Sequence, residues 1–301
     1  MESHPDDHPF SLCLTHDVDR VYQTFQAPYD ALRTRSIEPI RSMRADERPY
    51  WQFETVMALE ESLGVRSSWY VLQEKRLFDA LAPHRWLDPR AWVRFFGRYD
   101  LGDPEIAEAL CDLDRGGWEV GLHGSYESGE DLDRLRSESD RLEAVLGHPV
   151  RGGRQHYLRA AIPETWHHYR TLGLGYDASL GSRTTVGFGG LYDVVRPFDD
   201  DFLVFPLSVM DTVLFGAARS TSAAWQTCRQ LLGEARANGA VMTVCWHPRH
   251  FNEDRFPGFR SVYERLVRKA LAMGAWVGPC GRWRDHVVDR PAPRVTRPPA
   301  A

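Results

Sequence analysis

The stretch SLCLTHDVDR, residues 11–20, joins a mostly apolar run to three side chains that can bind a metal or transfer a proton. The run alternates in polarity, which is typical of a strand in a sheet. His16, Asp17 and Asp19 stand at its end. The sequence therefore predicts reactive side chains at the carboxyl end of the first buried strand.

Short apolar segments alternate with amphipathic segments over most of the 301 residues, the pattern of parallel βα units. The segments predict seven strands, which is near the count of a barrel, at 10–15, 67–72, 118–123, 174–179, 202–207, 241–247 and 275–278. Six helices are predicted at 51–63, 103–115, 131–146, 163–172, 222–238 and 260–273, each followed by glycine at or next to its end.

The chain shows no boundary between two domains, so residues 1–288 are predicted to form one barrel domain. Residues 20–50 and 73–102 are rich in aromatic residues, Arg and Pro, and follow the first two strands. Because a barrel keeps its functional loops there, we expect them to wall a substrate cleft. The Pro-rich tail, 289–301, is expected to be extended or disordered.

Composition excludes several classes of protein. A net charge of -5 and a pI near 6.2 argue against nucleic-acid binding, which needs a clustered basic face. No apolar run reaches membrane-spanning length and the N-terminus lacks the features of a secretory signal, so we expect a cytoplasmic protein. The five cysteines are widely spaced and mostly lie in apolar runs, which favours buried thiols over disulfides.

Four of the seven predicted strands end in His or Asp, within THDVD, LHGSYES, YDASLG and CWHPRH. Side chains just beyond the carboxyl ends of parallel strands converge on one mouth of a barrel, even when they are far apart in sequence. Clustered imidazoles and carboxylates are typical of a functional site. The repeated pattern is therefore better evidence for a site than any single residue.

The first two of these motifs resemble those of the polysaccharide deacetylase family, carbohydrate esterases whose fold is an irregular (β/α) barrel. THDVD supplies Asp17 and Asp19 for the Asp-Asp pair of that family, with one residue inserted between them. EVGLHGSYES supplies His123, with Glu127 where the family has a second His.

The remaining motifs extend the resemblance over residues 10–280. GGRQHYLR matches the Arg-Pro-Tyr signature with Arg154 and Tyr157, but His156 replaces the Pro. GYDASLG supplies Asp177, and the apolar run VMTVCWHPRH supplies His247. The combination is similar to a divergent subgroup associated with surface polysaccharides.

The resemblance implies a divalent metal, preferably zinc, bound by Asp19 and His123. The ion would polarise an acetamide carbonyl and activate water. A catalytic zinc usually has three protein ligands, so a third is needed here. His156 is the preferred candidate because it replaces the Pro of a cleft-lining motif; the alternatives are Glu127, His16 or no metal.

The same resemblance assigns the proton-transfer groups. Asp17 would act as general base and His247 as the acid that protonates the leaving amine. Asp177 would hold the imidazole of His247 in the required tautomer, and Arg154 would pair with Asp17 and keep it ionised.

The function implied is a metal-dependent hydrolase that removes N-acetyl groups from a glycan or glycan precursor. An N-acetylated sugar is the expected partner, and the oligomeric state stays open. Two alternatives remain: a metal-independent amide or ring hydrolase similar to allantoinase, and a carbohydrate-binding protein without catalysis. Metal content separates the first two functions, and any hydrolysis separates both from the third.

Overall fold

A computed structural model describes residues 4–22, 48–74 and 98–289, together with the isolated residues 35 and 84. The tail beyond residue 289 and most of the two predicted cleft-walling segments lie outside the described residues. The predicted α/β barrel is confirmed: one parallel sheet curls into a half-barrel surrounded by helices.

The described residues contain nine strands rather than about seven. The prediction missed Gly152–Gln155, because glycine is disfavoured in strands, and Leu207–Met210, which directly follows a very short strand. In chain order the strands are β1 (Ser11–Val18), β2 (Ser68–Leu72), β3 (Glu119–Gly124), β4 (Gly152–Gln155), β5 (Tyr176–Asp177), β6 (Leu203–Val204), β7 (Leu207–Met210), β8 (Val241–Cys245) and β9 (Trp276–Gly278).

All six predicted helices are present with ends within two residues of those expected, and two further helices follow β7 and β9. Among the described helices, none is long and apolar enough to cross a membrane. The helices are α1 (Phe53–Leu63), α2 (Pro104–Arg115), α3 (Leu132–Leu146), α4 (Glu164–Thr171), α5 (Asp211–Ala217), α6 (Thr221–Asn238), α7 (Phe259–Ala272) and α8 (Cys280–Val288).

Strand β1 lies near the middle of the sheet. The strand order is β6-β5-β4-β3-β2-β1-β8-β7, and β9 also pairs with β1. One edge of β1 pairs with β8, while β9 and β2 pair with its first and last residues. The carboxyl end of β1, from Thr15 to Val18, therefore pairs with β2, while β8 pairs with the strand as far as Thr15.

Alternation along β1 divides its side chains between two environments. Leu12, Leu14 and Val18 belong to the large apolar core that contains side chains of the surrounding helices. Cys13 belongs to a smaller cluster within the sheet, which Trp283 of α8 also joins. Asp17 lies on the same face of β1 as Cys13, four residues nearer the carboxyl end of the strand, where the polar site begins.

His16 points away from this interior and joins a buried polar cluster beneath the helices. Its Nδ1 lies 2.6 Å from the carbonyl oxygen of Trp246, and its Nε2 lies 2.9 Å from Oε1 of Glu60. Glu60 is fully buried and also accepts hydrogen bonds from Ser67, Trp118 and Tyr263. The cluster ties β1 to α1 and α7.

We predict that Glu60→Ala lowers the free energy of unfolding by about 3–5 kcal/mol, because each buried polar group left without its partner costs about 1–3 kcal/mol. The loss follows because His16, Trp118 and Tyr263 would keep buried polar groups without their acceptor. Urea unfolding measures it, with Glu61→Ala as the control: that neighbouring side chain is 71% exposed, so its removal should cost less than about 1 kcal/mol. Equal losses for the two variants would contradict this account.

Candidate active site

The reactive side chains meet at the carboxyl ends of the strands. Asp17 is the penultimate residue of β1, and Asp19 comes directly after the strand. His123 is in β3 and Arg154 in β4, while His156 and His247 come just after β4 and β8. Five of the six residues expected in one cleft therefore lie together, with His156 beside them; the sixth, Asp177, binds Ser179 and Trp166 instead.

A buried ion pair crosses the interior of the sheet. Arg154 is 0% exposed, and its Nη1 donates to Oδ1 of Asp17 at 2.6 Å and to Oγ1 of Thr15 at 2.8 Å. Its Nε donates to the carbonyl oxygen of Ala178 at 2.8 Å. Burial opposes ionisation of Asp17, but the positive charge of Arg154 outweighs it and lowers the pKa of the carboxyl.

Asp19 presents one carboxylate oxygen to two imidazoles. Its Oδ1 lies 3.3 Å from Nε2 of His123 and 3.6 Å from Nε2 of His156. This oxygen is buried and has no hydrogen-bond partner among the described residues. A buried carboxylate oxygen without a partner is costly, and a cation bound between the three side chains would remove that cost.

A hydrogen bond and a tight turn orient the imidazoles of His123 and His156. Nδ1 of His123 lies 2.8 Å from the carbonyl oxygen of Arg154, so Nδ1 carries a proton and Nε2 is the ring nitrogen that a cation could bind in place of a proton. His156 begins a tight turn in which Tyr157 adopts a left-handed backbone with φ of 58°, a conformation that costs energy in a non-glycine residue. Behind His156, Oε1 of Glu74 lies 3.6 Å from Nδ1.

The second carboxylate oxygen of Asp19, Oδ2, faces two basic side chains. Oδ2 accepts a hydrogen bond from Nη1 of Arg249 at 3.1 Å and lies 3.4 Å from Nε2 of His247. Although burial disfavours the charged carboxylate, the neighbouring His247 and His123 hold the pKa of Asp19 well below its usual range. Asp19 is thus ionised, with one oxygen engaged and the other open.

Asp211 fixes the orientation of His247. Its Oδ1 lies 2.7 Å from Nδ1 of His247, while its Oδ2 accepts from the backbone N-H of His247 and from Nδ1 of His250 at 2.6 Å. Burial lowers the pKa of His247, but the charge of Asp211 more than compensates and raises it to about 10. His247 is therefore a protonated imidazole whose Nε2 points into the site.

The role expected for Asp177 is wrong, because Asp211 occupies that position. Asp177 is fully buried, accepts hydrogen bonds from Ser179 at 2.5 Å and from Trp166 at 3.0 Å, and does not contact His247. Burial raises its pKa despite those hydrogen bonds. Its oxygens link β5 to α4 and serve the packing of that edge of the sheet.

Two alternatives for a third ligand are also excluded by geometry. His16 lies on the opposite face of β1 from Asp17, where both ring nitrogens are engaged. Glu127 is directed to Arg134, whose Nη1 is 3.6 Å from its Oε2, and its side chain is 38% exposed. Of the three candidates, the structure brings His156 alone to Asp19 and His123.

The described part of the chain contains three groups of residues that could each hold a metal ion, and within each group the potential ligand atoms lie within 4.8 Å of one another. Besides Asp19, His123 and His156, they are Asp17 with Cys245 and His247, and Asp211 with His247 and His250. In the last two groups carboxylate oxygens already accept hydrogen bonds from the protein. In the group of Asp19, His123 and His156, Oδ1 of Asp19 has no hydrogen-bond partner in the part of the chain that the structure describes, so this group is the better cation site.

Sequence reasoning missed Asp211, Glu74, His250 and Arg249 as parts of the site. Asp211 and Glu74 each stand one or two residues beyond an apolar strand, in LSVMD and WYVLQE. The rule that found the other residues would have found Asp211 if the strand had been ended at Met210 rather than at Leu207. The end of β2 at Leu72 was placed correctly, and Glu74 was missed because it lies two residues beyond that end. Arg249 and His250 lie in CWHPRH, which was already identified, but nothing in the motif assigns them a partner.

No family model matches the sequence, and no curated protein does. The fold is similar to that of a Mycobacterium smegmatis protein described as a polysaccharide deacetylase, with a TM-score of 0.63, 19% identity and coverage of 99% of this chain and 97% of that one. Puue allantoinase aligns with a TM-score of 0.60, 12% identity and coverage of 95% and 93%. A CE4 family pseudoenzyme from Bacillus anthracis aligns with a TM-score of 0.51, 11% identity and coverage of 95% and 68%.

These similarities confirm the resemblance at the level of the fold, which is that of polysaccharide deacetylases. The same fold carries a deacetylase-type protein, an allantoinase and a pseudoenzyme. Fold alone therefore does not choose between the three functions, and the choice depends on the side chains of the site.

We predict that Arg154→Ala lowers the free energy of unfolding by about 3–5 kcal/mol, because Asp17 would remain buried without its counter-charge. The double variant Arg154→Met with Asp17→Leu should recover most of that loss, since neither charge is then buried. Urea unfolding measures both. Arg151→Ala is the control: this arginine side chain is 56% exposed and should contribute less than about 1 kcal/mol. Failure of the double variant to recover any stability would contradict the ion-pair account.

Proposed function

We propose that this protein is a metal-dependent hydrolase that removes N-acetyl groups from a glycan or glycan precursor. The observation that carries the proposal is the buried Oδ1 of Asp19, which faces Nε2 of His123 and of His156 and has no hydrogen-bond partner within residues 4–22, 48–74 and 98–289. Base and acid candidates, Asp17 and His247, flank the same space, with ligand atoms within 4.8 Å of each other.

Asp19, His123 and His156 would hold the metal. One carboxylate and two neutral imidazoles are a donor set found in catalytic zinc sites, although other divalent ions accept it too. When bound, a divalent ion supplies Lewis-acid polarisation of the acetamide carbonyl and lowers the pKa of water. The hydrogen bond from His123 to the Arg154 carbonyl and the nearby Glu74 are the supports expected around such ligands.

Asp17 takes the role of general base. Its Oδ1 is held by Arg154, which leaves Oδ2 directed at the metal ligands, 3.9 Å from Nε2 of His123. The lowered pKa keeps the carboxylate ionised and able to accept a proton from the attacking water. Arg154 is thus a positioning residue, because it holds Oδ1 of Asp17 and leaves Oδ2 to accept the proton.

His247 takes the role of general acid. An amine cannot leave a tetrahedral centre without a proton, and Nε2 of His247 is the imidazolium atom that faces the site. Asp211 holds Nδ1 at 2.7 Å, which keeps the ring protonated and correctly oriented. His250 binds the other oxygen of Asp211 and so keeps that carboxylate in place.

Elemental analysis and an acetate-release assay on N-acetylated oligosaccharides test the proposal. Stoichiometric divalent metal, acetate release, and loss of both after chelation are the expected results. Hydrolysis of an amide or of allantoin that survives chelation would instead support the metal-independent alternative. Glycan binding without any hydrolysis would support a non-catalytic protein.

We predict that His156→Ala weakens zinc binding by about 100-fold or more, since even loss of a residue that only supports a ligand costs 10–100-fold. Glu127→Gln is the matched control and should leave zinc affinity unchanged, because that side chain pairs with Arg134 instead. Titration of chelator-treated protein with zinc measures both. Stoichiometric, tight zinc in His156→Ala would remove this residue from the ligand set.

We predict that His247→Ala lowers kcat for deacetylation by about 100-fold or more, the usual scale of general acid catalysis. Zinc content and KM should stay close to the wild-type values, because His247 faces Oδ2 of Asp19 rather than the oxygen shared by the other imidazoles. Asp177→Asn is the control, and the folded fraction of this variant should have the wild-type kcat. Loss of zinc in His247→Ala would make this residue a ligand, and the acid would lie elsewhere.

A further inference from the structure

A buried arginine on α3, Arg134, lies behind the proposed metal ligands and takes no part in the hydrolysis described above. Its Nη2 donates to Oε2 of Glu74 at 3.3 Å and its Nε to Oε1 of Glu138 at 3.2 Å, and all three side chains are buried. A third contact, from Nη1 to Oε2 of Glu127 at 3.6 Å, is longer and partly exposed, so it contributes less. Apolar residues of similar volume often stabilise a fold as well as buried ion pairs do, so stability alone does not account for these charges.

The first carboxylate, Glu74, lies between Arg134 and the third proposed metal ligand. Its Oε1 accepts the backbone N-H of Tyr126 at 2.8 Å and lies 3.6 Å from Nδ1 of His156. That Nδ1 is buried and has no hydrogen-bond partner among the residues that the structure describes. A shift of about 0.7 Å would bring it to the usual N-H···O distance of about 2.9 Å. With a cation on Nε2, Nδ1 carries the ring proton, and Glu74 is placed to accept a hydrogen bond from it.

The second carboxylate, Glu138, holds the chain just beyond His123. Glu138 stands one helical turn after Arg134 on α3. Its Oε2 accepts the backbone N-H of Ser125 at 3.0 Å, and its Oε1 accepts the hydroxyl of the same serine, which is two residues from His123 and directly after β3. Gln73, directly after β2, donates to the backbone carbonyl of Glu138 at 2.6 Å. The same turn of α3 is therefore tied to the carboxyl ends of two strands.

We propose that Arg134 is a positioning residue for the metal site. Through Glu74 it fixes the ring of His156, and through Glu138 it fixes the loop that follows His123. The inference rests on the proposed function, because it concerns the ion that the proposed ligands would hold. Ligands that are held in place before the ion arrives bind it more tightly, since less conformational freedom is lost on binding.

Zinc titration of chelator-treated variants tests the inference. Arg134→Met and Glu74→Ala should each weaken zinc binding by about 10–100-fold, the usual effect of removing a group that supports a metal ligand. The double variant should bind zinc as weakly as Arg134→Met and no more weakly, because Arg134 acts through Glu74. Arg136→Met is the matched control: it makes the same substitution at an exposed position of the same helix and should leave zinc affinity unchanged.

Two further measurements separate positioning from a general loss of stability. In the zinc-loaded protein, NMR with isotope-labelled histidine should show an Nδ1 proton of His156 that exchanges slowly with water in the wild type and in Arg136→Met. This proton should exchange faster in Glu74→Ala, because its acceptor is gone. Arg134→Lys keeps a positive charge at the position and should fold, but it should still lose about 10-fold or more in zinc affinity, because an ammonium lacks the fork of donors that holds two carboxylates.

The outcomes distinguish this inference from the proposed function. Wild-type zinc affinity in folded Glu74→Ala and Arg134→Lys would overturn the inference and leave the hydrolase intact. A double variant whose loss equals the product of the two single losses would also overturn it, because Arg134 and Glu74 would then act separately. Absence of zinc from the wild-type protein at full loading would refute the proposed function, and the inference would fall with it.

Discussion

The ion pair between Arg154 and Asp17 is the interaction on which the site depends. Burying a guanidinium and a carboxylate costs several kcal/mol for each ion, and only close, well-oriented contacts offset that cost. Here one guanidinium on β4 binds Asp17 and Thr15 on β1 and the Ala178 carbonyl beyond β5. It therefore bridges strands that are not neighbours in the sheet and sets the orientation of the base.

The alternation of β1 lets one short motif serve two purposes. Asp17 faces the interior of the sheet, while His16 faces outward and joins Glu60 beneath the helices. Because β1 pairs with strands on both edges, a one-residue slip would exchange these side chains and bury each in the wrong environment. The buried ion pair of Asp17 and the buried hydrogen bond of His16 thus reinforce the same register.

Much of this arrangement could be predicted from the sequence, because strand ends place side chains without knowledge of long-range contacts. Six residues were expected in one cleft, with His156 as the preferred third ligand, and all of them except Asp177 are found together: Asp17, Asp19, His123, Arg154, His156 and His247. Asp211 was missed because the predicted strand ended at Leu207, whereas in the structure β7 runs from Leu207 to Met210 and Asp211 comes directly after it. The partner of His247 was misassigned to Asp177 because motif order does not determine which of two buried carboxylates faces a given imidazole.

The central claim is that a divalent metal binds at Oδ1 of Asp19, and anomalous diffraction from crystals of the zinc-loaded protein tests it most directly. The account predicts one peak about 2.0–2.2 Å from Oδ1 of Asp19 and from Nε2 of His123 and of His156. The peak should leave the hydrogen bonds from Asp211 to His247 and His250 intact. A peak bonded to Asp211, His247 and His250 instead, or no peak at full zinc loading, would contradict it.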